Sequence, residues 1–190
     1  MDSNETGTSS DWQDLLVRYK KWRRIYALAG GKAPRDEPIW EAGQLHLRSG
    51  FPYPGGWTAY IVKPDGERCA VLRVASEHRN EPVESLCGVF FSSVEDAGKY
   101  IVLNVGEFLR IGLRLDPIEW AWEDAGLDQR VRQLSVDEYV SRFELKDDTT
   151  RYFVLQAGGI QPENKLLTLS YDELDALLVE GMPESVLSQL

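Results

Sequence analysis

Residues 92–116 carry the pattern that most restricts how this chain can fold. Val94, Ala97, Ile101, Val105, Phe108 and Gly112 recur at steps of three or four, which is one buried stripe on a long α-helix. Ser92 or Ser93 is placed to cap it, Glu95 and Asp96 suit its positive end, and Asp116-Pro117 marks the exit. Gly98, Gly106 and Gly112 weaken the helix and permit close contact with a sheet.

Strands flank this helix. Residues 39–48 read as two short strands around an Ala42-Gly43 turn. GFPYPGG, residues 50–56, holds three glycines and two prolines and is a loop. Residues 57–63 form a strand, residues 64–67 a turn, and residues 68–75 the antiparallel return, with Cys69, Val71 and Val74 among its apolar positions. A charged loop, SEHRNEPVE, separates this hairpin from a strand at 86–91. Beyond the long helix, PIEWAWEDAGL is a short helical or irregular segment, and residues 139–146 and 151–156 form a hairpin around Asp147-Asp148. Residues 166–169 read as a short strand. Ser170 and Glu173 make a capping box for a helix to Glu180, Gly181 ends it, and Pro183 opens a last turn. Near the start, Asp11 caps a helix to Ala29, stopped by Gly30-Gly31. The order is helix, strands, long helix, strands, helix. It predicts an α+β fold: a mainly antiparallel sheet with an N-terminal helix, a long central helix and a C-terminal helix. Residues 1–10 read as a disordered tail and 11–190 as a single domain.

Composition excludes several classes. The apolar fraction of 43% is globular, and no run of 18 apolar residues suggests a membrane span. MDSNETGTSS lacks the basic and apolar regions of a signal peptide. A net charge of −10 argues against nucleic acid as the main partner. Two cysteines make no disulfide framework, so a reducing cytoplasm is the default.

The charge is uneven. Residues 1–35 carry seven Lys/Arg and four Asp/Glu, a net of +3, centred on RYKKWRR in the first helix. Trp12, Leu15, Leu16, Tyr19, Trp22, Ile25 and Tyr26 follow helical spacing there. A membrane-surface or nucleic-acid helix is one reading. A first helix packed on an acidic body is the other, and the acidity of the remainder favours it. Residues 116–148 hold ten carboxylates and four basic residues, a net of −6.

Catalytic motifs are missing. His46 and His78 belong to no HExxH, and Cys69 and Cys87, on separate strands, read as core thiols and not as a metal set. Neither a G-x-S-x-G elbow nor a phosphate-binding loop occurs. With 31 carboxylates, a glycosidase-like pair arises by chance, and a solvated acidic face explains them better. No cofactor or metal is expected. Aromatic residues instead gather in one stretch: Trp40, Phe51, Tyr53, Trp57 and Tyr60. Such rings recur at interaction hot spots. Trp40 and Tyr60 read first as core, Phe51 and Tyr53 equally as core or exposed, and Trp57 serves either purpose.

Three segments resemble the immunity-protein family that includes the antitoxin of the tuberculosis necrotizing toxin. The first is Ile39-Trp40-Glu41-Ala42-Gly43-Gln44, followed by Gly56-Trp57-Thr58-Ala59-Tyr60-Ile61. The second is Phe90-Phe91-Ser92-Ser93 leading into a helix with Lys99-Tyr100, and the third is the hairpin, Leu167-Thr168-Leu169 and a leucine-rich helix from Ser170. Together they span 38–190 in order. GFPYPGG, residues 76–84 and the basic first helix depart from the family pattern. The resemblance implies a cytoplasmic, non-enzymatic antitoxin that binds a folded polymorphic toxin, in a 1:1 complex, and occludes its active site. The best-known toxin of the group hydrolyses NAD. The toxin-facing residues are placed at Phe51, Tyr53, Trp57 and Trp40, with Glu119, Glu123 and Asp124 from the acidic stretch. The alternative is an acidic secretion chaperone, which would wrap an unfolded segment as a dimer.

Overall fold

A computed structural model describes residues 10–31, 35–51, 55–76, 83–84, 88–156 and 159–189. Helix α1 (Ser10–Leu28) precedes strands β1 (Ile39–Glu41), β2 (Gln44–Ser49), β3 (Trp57–Asp65), β4 (Arg68–Ser76), β5 (Val83–Glu84) and β6 (Val89–Phe91). Helices α2 (Val94–Gly112) and α3 (Ile118–Ala125) follow. Strands β7 (Val131–Asp137), β8 (Val140–Leu145) and β9 (Tyr152–Gln156), a 3-10 helix (Pro162–Thr168), α4 (Tyr171–Val179) and α5 (Glu184–Leu187) complete the chain. Among the described residues nine strands form one antiparallel sheet in the order β1-β2-β3-β4-β6-β9-β8-β7, with β5 also on β4. The expected α+β class is what the structure shows. No helix among the described residues is long and apolar enough to cross a membrane.

Strand register explains where the core lies. Side chains alternate across a sheet, so paired residues share a face. Leu45, Val62, Val71, Val89 and Leu155 are successive partners in one row. Cys69, Phe91, Phe153 and Phe143 form the next. These rows lie under α2, whose Ile101, Val102, Leu103 and Val105 are fully buried. Each large apolar side chain removed from water contributes roughly 1.5–3 kcal/mol.

The caps appear where the residues place them. Ser93 is the N-cap of α2 and accepts the Asp96 backbone N–H, and Ser170 and Glu173 close the capping box of α4. Ala42 (φ 49°) and Gly43 (φ 74°) make the two-residue β1–β2 turn. Several boundaries differ from the reading of the sequence. Strand β3 runs through Pro64 to Asp65, leaving Gly66-Glu67 as the turn. Val74 lies on the face opposite Cys69 and Val71. Residues 83–84, read as loop, pair with β4. Strand β7 was not expected at all.

Residues 166–169 are not a strand. Leu166 and Leu167 are buried in the 3-10 helix, which Pro162 opens at its first turn. The stripe on α2 also needs correction: Phe108 is 59% exposed and Gly112 is exposed, while Leu109 and Arg110 are buried in their neighbourhood. Gly98 and Gly106 do permit close approach, but to helices. A Cβ on Gly98 would lie 1.9 Å from the Tyr171 hydroxyl, and one on Gly106 would lie 2.7 Å from Leu178.

The basic first helix packs on an acidic neighbour. Leu15, Tyr19, Trp22, Ile25 and Tyr26 are its buried face. Asp175 on α4 accepts from Arg18 (2.8 Å), Lys21 (2.7 Å) and the Trp22 indole N–H (2.7 Å). A second buried network joins α2 to β9. The Lys99 ammonium, fully buried, lies 2.6 Å from Asp96 and donates to the Leu169 carbonyl, and Arg151 also reaches Asp96, at 2.7 Å. The Arg110 guanidinium donates to the carbonyls of Asp116, Leu178 and Glu180, which ties the exits of α2 and α4 together. Residues 1–9 and Cys87 lie outside the described residues, as does His78. Burial pushes the Cys69 thiol up to about 12, in keeping with a core thiol.

Candidate functional site

Strand β6 is only three residues long, so the helix-facing side of β3 and β4 continues beyond the core rows. Leu47, Tyr60 and Arg73 form the next row, and Ser49, Thr58 and Ala75 the one after. The second half of α2 passes over these rows with Asn104, Glu107, Phe108 and Ile111. Between helix and sheet lies a groove of about 440 Å³, open on one side to Gly55, Gly56 and Trp57. Arg35, bridged to Ser49 from outside the strands, completes the wall.

The polar groups of the groove are incompletely matched. The Tyr60 hydroxyl donates to Asn104 Oδ1 at 3.2 Å, and Asn104 Nδ2 donates to the Tyr100 carbonyl. Burial pushes the Tyr60 phenol up, and the charges of Arg73 and Arg35 pull it back. Arg35 Nε and Glu107 Oε2 are buried with no hydrogen-bond partner. The other Glu107 oxygen accepts the Ile118 backbone N–H at 2.9 Å, so this side chain also anchors the start of α3. Phe108 and Ile111, each 59% exposed, form an apolar rim.

A carboxyl cluster stands behind the helical wall. Burial first, then the charges of Glu163, Glu107 and Glu123, push the Glu119 carboxyl up to about 7. Burial also raises Glu163 and Glu107. Glu163 Oε2 is a further buried oxygen without a partner. Among the described residues no ion pair reaches Glu107, Glu119, Glu123 or Glu163, and no group of three His, Cys, Asp or Glu could hold a metal ion.

The sequence-derived site residues divide over this geometry. Trp57 lines the groove. Phe51 is half-buried, packed edge-on against Trp57 at 4.7 Å between centroids, with the Arg48 guanidinium over its other side. Tyr53 lies outside the described residues. Trp40, 44% exposed, packs edge-on against Trp12 and does not line the groove. Its reading as core is corrected, because β1 is an edge strand that, among the described residues, pairs with β2 alone. Glu119 is half-buried near Glu107, while Glu123 and Asp124 are exposed on α3.

Reading the sequence missed Arg35, Arg73, Glu107 and the rim of Phe108 and Ile111. One signal existed: Arg73 interrupts the inward alternation Cys69, Val71, Arg73, Ala75. Arg35 gave none, since it reaches the groove from the linker.

No protein-family model matches the chain, and no curated protein matches it in sequence. Among solved structures, that of Rv3902c from M. tuberculosis aligns over 96% of each chain, with 14% identity and a TM-score of 0.48.

Proposed function

We propose that the chain is an immunity protein, a non-catalytic inhibitor that docks on a folded toxin domain in the cytoplasm of the producing cell. The observation that carries this reading is the groove and its rim. Helix α2 turns Phe108 and Ile111 to solvent beside a concavity lined by Trp57, Tyr60 and Arg73. Apolar surface beside a polar-edged cleft is characteristic of protein contact sites, and Trp, Tyr and Arg dominate their binding energy. Phe51 packs edge-on against Trp57 beside the groove, which holds both rings in place and lowers their ordering cost on binding. The sequence resemblance to immunity proteins in 39–44, 56–61 and 90–93 supports the same reading. The net charge of −10 speeds encounter with a basic nucleotide-binding cleft.

The test is co-expression with candidate toxin domains, beginning with any encoded beside this chain. A 1:1 complex by light scattering and preserved cellular NAD are expected. Added salt should slow association far more than it speeds dissociation. A toxin domain that stays free at micromolar concentrations, or NAD turnover by the pure protein itself, would overturn the reading.

A further inference from the structure

We propose that the groove is a carboxylate-recognition site, in which an aspartate or glutamate side chain of the protein partner is held by Arg35, Arg73 and the Tyr60 hydroxyl. This rests on the immunity reading above and names the chemistry that its groove selects.

The chain has 31 Asp/Glu and 21 Lys/Arg, so its arginines have carboxylates to spare. Arg48, Arg68, Arg142 and Arg151 each use one, at 2.9, 2.6, 2.6 and 2.7 Å. Arg35 and Arg73 line one groove, and neither pairs with a carboxylate among the described residues. Arg73 moreover occupies a helix-facing position on a central strand, two residues beyond buried Val71. An arginine there gives up packing, and no carboxylate among the described residues pairs with it in return.

Both arginines and Tyr60 line the same groove. The charges of both arginines act on the Tyr60 hydroxyl. Arg35 Nε is buried and lacks an acceptor. A buried donor left unpaired costs about 1–3 kcal/mol, and an entering anion relieves that cost. Glu107 faces the same groove from α2, so it drives an incoming anion toward the arginine wall. It also favours a singly charged carboxylate over a phosphate. The Trp57 ring offers apolar surface for an aliphatic stem. Arginine meets a carboxylate through two parallel hydrogen bonds, which adds direction to attraction.

Two measurements test this. In the first, the ¹⁵N-labelled full chain is titrated with N-acetyl-glutamate methylamide, whose single charge is the side-chain carboxylate. The Arg35 and Arg73 Nε–H signals should move and saturate, while exposed Arg114 drifts linearly. The capped glutamine analogue should move neither. Linear drift at all three arginines, or saturation by inorganic phosphate at a lower concentration, would overturn the proposal. In the second, a toxin domain that the co-expression test identifies is titrated with Arg73→Glu and with Arg114→Glu, which alters net charge equally. Arg73→Glu should weaken binding about thirtyfold or more, and Arg114→Glu less than about threefold. Equal effects would overturn the carboxylate site and leave the immunity reading standing. A native protein that does not bind the toxin would overturn the immunity reading, and the glutamate titration then decides the site alone.

Discussion

The two ends of the helical layer treat charge in opposite ways. Around Asp96 and Asp175, buried carboxylates each have basic partners within 2.8 Å, and the fully buried Lys99 is matched by Asp96 and a carbonyl. Around the groove, Arg35 Nε, Glu107 Oε2 and Glu163 Oε2 are buried and unmatched, and Glu119 is surrounded by like charge. Matched buried charges fix the docking of α1 and β9 on α2 and α4. Unmatched buried atoms weaken the free protein, even where, as in Glu107, the other oxygen of the same group anchors α3; such atoms are the usual mark of a surface shaped for something else.

The sharpest way to break this contrast is to unpair the matched end. Asp96→Ala leaves Lys99 with the Leu169 carbonyl and, as its only carboxylate, Glu95 at 3.4 Å, and it deprives Arg151 of its partner. A loss of about 3 kcal/mol in urea unfolding is expected, the scale for a buried pair broken on one side. A loss below about 1 kcal/mol would mean that the pairing is incidental. Asp175→Ala comes next. It removes the acceptor of Arg18, Lys21 and Trp22 together, and about 2 kcal/mol is expected from the same experiment, with α1 exchanging its amides faster.

The groove end should answer to pH. Folded, Glu119 keeps its proton up to about 7, against 4.5 for the free group. The folded state therefore binds more protons between those values. Stability is full below about 4.5, falls as pH rises, and levels off above about 7. Glu107 and Glu163 shift the same way and steepen the fall. Asp128 and Glu144, held down by arginines, act oppositely and lose their contribution in acid. Because Glu119 is partly exposed, solvent screening reduces its share to about 1 kcal/mol. Glu119→Gln should flatten the profile between pH 5 and 8, read by urea midpoints; an unchanged slope would assign the effect elsewhere.

The smallest expected stability change concerns the rim. Phe51→Ala should cost about 1 kcal/mol, since its ring packs on Trp57 and under Arg48. Arg73→Gln should change the melting temperature by no more than a degree or two, since the side chain is exposed and has no ion pair among the described residues. An Arg73→Gln protein as unstable as Asp96→Ala would erase the distinction between the two ends.

Much of the frame is written locally in the sequence. Ser93 and Ser170 are caps because their hydroxyls reach backbone donors three residues on, a contact that needs no distant partner. The Ala42-Gly43 turn is likewise set by two residues, and the buried face of α1 by its own spacing. Leu166 and Leu167 show the limit. A short apolar run is buried equally well in a strand or a tight helix, so periodicity alone does not separate them.

The candidate site was legible only in part. Trp57 and Phe51 stand out by type and neighbourhood, and the structure does set them against each other beside the groove. Phe108 fits the helical stripe as well as Val105 does, yet one is exposed and the other buried. What separates them is tertiary position: Val105 packs into the core, while Phe108 stands over the groove. Arg35 and Arg73, 38 positions apart in the sequence, meet only because the linker bridges to β2 while β2, β3 and β4 pair in a fixed register. Local spacing determined the helices, caps and turns, whose contacts span a few residues. Which charges ended matched and which faced the groove was decided by long-range pairing, because that depends on elements brought together across the whole chain.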